Sequence, residues 1–174
     1  MTEVFQIFLI LIPAALVLFG MYISVNSLLN KQVEIKNIDL KSDSRKITLP
    51  LQLQAYERII LLLERISPSN LLLRLNGSSV NVGDFKQIIA REIREEFNHN
   101  LSQQIYMTDI TWANVKTAVE STIALVNETA SGLDQQANGT ELSKNLLNNE
   151  LNSQTSPIEI AIESVKADIR TNLL

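Results

Sequence analysis

Cysteine is absent from the 174 residues, which removes disulfides, thiolate metal sites and a cysteine nucleophile together and leaves the redox compartment open. Histidine occurs once, at His99. A Ser-His-Asp relay would rest on that single imidazole, and no Gly-x-Ser-x-Gly elbow accompanies it. The five glycines are widely separated, so no glycine loop leads into a helix to cradle phosphate, and Gly83 with Lys86 is not a P-loop. Aromatic residues form 5% of the chain. Spread about one to a helix, Tyr56, Phe97, Tyr106 and Trp112 read as core rather than as a ligand cage. A basic surplus is lacking too: the net charge is -4, with eleven basic and nine acidic residues over 31–107 and four against nine over 108–174. Neither half offers the large cationic face that a nucleic acid requires, so that class of partner is excluded.

Long apolar sequence is present, at the start. No charged residue occurs from Val4 to Asn30, and Phe8 to Val25 reads FLILIPAALVLFGMYISV. About 20 such residues at a 1.5 Å rise cross a hydrocarbon layer of roughly 30 Å, which predicts a transmembrane anchor within residues 1–30, in contact with the lipid bilayer through residues 4–30. The acidic start Met1-Thr2-Glu3 argues against a cleavable signal peptide. Pro13 removes a backbone donor and predicts a kink. Lys31, Lys36, Lys41, Arg45 and Lys46 follow the apolar run and no basic residue precedes it, so the positive-inside rule puts the N-terminus outside and the remainder in the cytoplasm.

Past the anchor, residues 31–48 read as a polar connector with one short extended segment, and the rest is predicted all-α, a helical bundle of three or more helices. A core domain is expected over 49–134. Leu53, Tyr56, Ile60 and Leu63, widened by Ile59, Leu62 and Ile66, predict a nearly buried helix over 51–66. Ser67 and Pro68 stop it and start another, by the preference of Ser for the N-cap and Pro for the first helical position. Residues 70–82 fit either a short helix or a β-hairpin turning at Asn76-Gly77. Asn81 and Asp84 then supply a cap and a first-turn acid for a helix carrying Phe85, Ile88, Ile89, Ile93, Phe97, Leu101 and Ile105 on one side. Thr108 caps the next, with Trp112, Val115, Val119, Ile123, Val126, Ala130 and Leu133 in register, and the short connection predicts an antiparallel pair. Residues 135–155 read as a polar linker holding a weak helix. A C-terminal amphipathic helix is expected over 156–174, with Ile158, Ile162, Val165, Ile169 and Leu173 forming a seam that something must cover. Two chains in one bilayer would be concentrated there, so the expected cover is a second copy.

One constellation has the spacing of a metal site. Glu92, Glu96 and His99 recur at four and three on one helix face, half of a di-iron carboxylate pattern that a symmetric dimer would have to complete. The bland alternative is a solvated face in which Glu92, Glu95 and Glu96 pair with Arg91 and Arg94. The residues themselves therefore nominate no catalytic, cofactor-binding or metal site, and no cofactor.

The segments AYERIILLLERISPSNLLLRL and IIAREIREEFNHNLSQQIY, followed by a Trp in the next helix, resemble a family of uncharacterised single-span helical membrane proteins of Bacteroidota. That resemblance covers roughly two fifths of the chain, from Leu51 to Val119, and implies a bacterial inner-membrane protein with a cytoplasmic helical domain. It implies no activity. The expected function is a membrane-tethered, non-enzymatic interaction or structural module that self-associates or docks a cytoplasmic protein. The alternative is a metal-dependent or lipid-related enzyme assembled on a dimer around Glu92, Glu96 and His99.

Overall fold

The computed structural model describes the backbone of residues 2–152 and 156–172, and the side chains of Leu16, residues 18–32, Lys36, residues 46–152 and residues 156–171. Among these residues there are six α-helices: α1 (Thr2–Ile66), α2 (Pro68–Arg74), α3 (Val82–Asn100), α4 (Asp109–Ser131), α5 (Gly139–Asn152) and α6 (Pro157–Asn172). Two 3-10 segments, Gly77–Ser79 and Leu101–Tyr106, join α2 to α3 and α3 to α4. The chain divides into two compact units, Met1–Thr48 and Leu49–Leu174.

The first unit corrects the sequence reading. Among the described residues no helix is long and apolar enough to cross a membrane. Gly20, Ser24, Asn26 and Ser27 interrupt the apolar residues between Leu16 and Leu29, and each lowers the mean hydropathy that a membrane-crossing run requires. Residues 4–15 of the expected anchor, Pro13 included, lie outside the described side chains. The anchor, the bilayer contact through residues 4–30 and the single-pass inner-membrane topology with an outside N-terminus are thus not supported. Residues 31–48 are helical rather than extended.

In the second unit, the last turns of α1 bury Ala55, Tyr56, Ile59, Leu62, Leu63 and Ile66, a stripe at spacings of one, three, three, one and three that only a helix presents on one side. Leu53 stands outside that stripe, exposed. Ser67 takes an extended conformation (φ -58°, ψ 137°) and Pro68 opens α2. The orphan carbonyls at the end of α1 are met by side chains: Ser67 Oγ (2.8 Å) and Asn70 Nδ2 (2.9 Å) donate to Glu64 O, and Arg74 Nη2 donates to Arg65 O (3.1 Å). Capping of this kind satisfies groups that would otherwise need water.

No hairpin forms over 70–82. Asn76 instead accepts from Ser78 N and starts a 3-10 turn. Asn81 caps α3, accepting from Asp84 N (2.8 Å) and returning Nδ2 to Asp84 Oδ2 (3.0 Å). Helix α3 buries Val82, Phe85, Ile89, Ala90 and Ile93. It ends earlier than its apolar spacing predicts, because Asn100 turns its amide back to Glu96 O (2.9 Å) and the chain tightens into the 3-10 segment. Leu101 and Ile105 consequently face outward, Ile105 at 75% exposure.

Thr108 caps α4 through Thr111 N. Trp112, Val115, Val119, Val126 and Ala130 are buried along α4. It runs antiparallel to α3: Trp112 near its start stacks on Phe97 near the end of α3 (centroids 5.5 Å, 18°), and Asn127 shares a pocket with Lys86 and Gln87. The polar stretch after α4 is firmly held. Val82 N donates to Ala137 O (2.9 Å), Gly83 N to Gln135 O (3.2 Å) and Gly139 N to Val80 O (2.9 Å), around an isolated antiparallel bridge between Asn81 and Asn138. Leu142 and Leu146 on α5 are buried outright. Polar composition conceals this because two leucines four residues apart anchor the helix while its other faces meet solvent.

Helix α6 is covered in cis. Ile158, Ala161 and Val165 belong to the same buried cluster as Val115, Ala118 and Val119 of α4. Packing within the chain leaves the seam no need of a second copy; Leu173 lies outside the described residues.

Candidate functional site

The proposed metal constellation does not assemble. Glu96 Oε2 lies 3.2 Å from Arg65 Nη2, an ion pair that straps α3 to the end of α1, while His99 points to solvent. Among the described residues no group of three or more His, Asp and Glu side chains is placed to hold a metal ion. The alternative reading of an enzyme around Glu92, Glu96 and His99 is corrected on that ground. Spacing put the three on one helix face, but Glu96 is engaged by an arginine from another helix.

A buried polar knot joins three helices instead. Asp168 of α6, 5% exposed, accepts from Thr108 N (2.9 Å) and Thr108 Oγ1 (3.0 Å) at the head of α4. Tyr56 of α1 is hydrogen-bonded to the same carboxylate, and its phenol is pushed up to about 12 by burial, then by the charge of Asp168 and that hydrogen bond. Thr111 Oγ1 and Ser164 Oγ share a hydrogen bond (3.2 Å), and Asn114 Nδ2 donates to Ser164 Oγ (3.0 Å). Each group in the knot has a partner, so it has the character of a clamp rather than of a reactive centre. Tyr56 is buried as its stripe predicts, but Asp168 could be found in the sequence only as a lone acid among the apolar positions of the last helix.

A concave feature of the domain lies along α4. A cavity of about 420 Å³ is bounded by Thr122, Leu125 and Glu128 of α4, Asn149 and Glu150 of α5, Pro157 and Ile158 of α6, and Pro68 of α2. A second, of about 500 Å³, lies beside it between Leu125, Thr129 and Leu133 of α4 and Asn145, Asn149 and Asn152 of α5. Leu125, Glu128 and Asn149 line both, which makes them one groove. Its base is aliphatic and its charged groups are acids. Burial raises the Glu150 carboxyl above its ordinary value, the Ser69 N–H counteracts this, and Glu159 reinforces it.

Asn145, Asn149 and Asn152 recur at four and three residues, so they stand on one face of α5. Asn149 Nδ2 donates to Thr129 Oγ1 (3.1 Å) and Asn145 Nδ2 to Glu141 O (2.9 Å), which orients both amides and leaves their oxygens as acceptors. The asparagine period is visible in the sequence; its neighbour across the groove is not.

A family model matches residues 2–172. The chain belongs to DUF7935, a family of unknown function. No curated protein and no solved structure matches it. With no membrane-crossing helix among the described residues, the resemblance to single-span membrane proteins of Bacteroidota is not supported.

Proposed function

We propose that the Leu49–Leu174 unit is a non-catalytic recognition domain whose groove along α4, α5 and α6 takes an extended peptide segment bearing basic residues. The observation that carries this is the asparagine row beside an aliphatic base. Asn145 and Asn149 are ~6 Å apart along the helix axis, near the roughly 6.6 Å two-residue repeat of an extended chain. Successive outward-facing peptide groups of such a segment therefore meet successive side-chain amides, each able to give and accept a hydrogen bond. Alternate side chains would point to Leu125, Leu133 and Ile158, as alternation along a strand requires. Glu128 and Glu150 supply the charge complementarity, and among the groove's lining residues no Lys or Arg opposes them.

A calorimetric titration of the full chain with an unstructured heptapeptide of alternating lysine and leucine tests the reading. Saturable one-to-one binding is expected, weakened about tenfold, or ~1.4 kcal/mol, by Glu128→Lys. Absence of saturable heat, or equal affinity in the variant, contradicts it.

A further inference from the structure

We infer that the opposite side of α4, where it packs on α3, is a binding site for a small phosphoryl anion. This goes beyond the peptide groove and does not depend on it. A shallow pocket of about 370 Å³ is lined by Lys86, Gln87, Ala90, Arg91, Arg94, Glu95 and Asn127. Ala90 is buried, so its methyl forms a low base and the longer side chains stand around it.

On a solvated helix face Arg91 would pair with Glu95 one turn on. It does not: Lys86, Arg91 and Arg94 make no ion pair among the described residues, whereas Arg65 of α1 pairs with Glu96 and Lys166 of α6 with Glu163. Three cations against one carboxylate leave the surplus that a phosphoryl dianion neutralises. Two guanidiniums offer paired N–H groups whose spacing matches two phosphate oxygens, and Gln87 and Asn127 add neutral donors. The cluster is too small to follow a nucleic-acid backbone, in keeping with the charge balance of the chain.

Pyrophosphate titrated into the full-length protein, with the arginine Nε–H signals followed by NMR at constant ionic strength, gives the test. Saturable shifts of Arg91 and Arg94 at one anion per chain are expected. The pair Arg91→Gln and Arg94→Gln should abolish them with the circular dichroism unchanged. Glu95→Gln, which removes the only anion of the pocket, should tighten binding roughly two- to fivefold, a gain that misfolding cannot imitate. Linear, unsaturating shifts equal to those produced by chloride, or a Glu95→Gln affinity no higher than that of the unchanged protein, overturn the proposal.

Discussion

The carboxylate of Asp168, six residues from the C-terminus of the chain, accepts both the backbone N–H (2.9 Å) and the hydroxyl (3.0 Å) of Thr108, sixty residues earlier. Thr108 in turn caps α4 through Thr111 N. One side chain therefore fixes the start of the central helix and the position of the last, and with Tyr56 it reaches α1 as well. Asp168→Asn keeps the volume but loses the charge that strengthens these bonds, so the full chain should lose about 1.5–3 kcal/mol in urea unfolding. A loss below ~0.5 kcal/mol would mean that the knot holds nothing together.

The same knot sets an alkaline limit. A phenol raised from 10.0 to about 12 in the folded chain binds its proton more tightly there than when unfolded. Its contribution to stability is complete below pH 10 and is lost as the pH rises through about 12. Ultraviolet titration of phenolate should show one tyrosine ionising near 12, absent in Tyr56→Phe and moved downward in Asp168→Asn.

Glu150 follows the same sign at the acid end of the pH scale. Burial raises its carboxyl above the ordinary 4.5, so its contribution to stability is full below that value and declines as pH rises through the raised one. Glu150→Gln, which keeps an acceptor for Ser69 N, should melt higher than the unchanged chain at pH 7 and at the same temperature below pH 4. A lower melting temperature at pH 7 would show that the charged form is the one the fold favours.

Gly139 and Gly77 mark a close crossing of backbone. A methyl at Gly139 would lie 2.7 Å from Gly77 O and 3.1 Å from Phe85 Cβ, too near for the backbone to stay in place. Gly139→Ala should cost about 1–3 kcal/mol, as overpacking does, and should weaken the bridge between Asn81 and Asn138. Thermal melts check the first, and amide exchange at Gly139 and Val82 the second. An unchanged melting temperature would mean that the crossing relaxes freely.

Much of the helical order is legible in the sequence, because apolar spacing, Asn81, Thr108 and the Ser67-Pro68 break are local signals with local causes. What escapes is long-range. The hydrophobicity of residues 4–30 suggests a membrane without saying whether a helix there meets the requirement for one. Leu101 and Ile105 keep helical spacing past Asn100, where the backbone has already tightened. Asp168, Glu150 and the asparagine row matter only through partners on other helices, and no spacing within one helix announces them.

The cover of α6 can be read directly in solution. Because Ile158, Ala161 and Val165 sit in the common core, removing residues 156–174 should cost the Leu49–Leu174 unit its cooperative unfolding. Near-ultraviolet circular dichroism of Trp112 would follow this. Retained cooperativity with only a change of assembly state would return the seam to an intermolecular role.

The groove as an extended-peptide site is most directly tested by the side-chain amide NMR signals of Asn145 and Asn149 during titration of the full chain with the alternating lysine-leucine heptapeptide. The account predicts saturating shifts of both with a common dissociation constant, accompanied by the methyls of Leu125 and Ile158. Shifts confined to Glu128 and Glu150, with both asparagine amides unmoved at saturation, would contradict it.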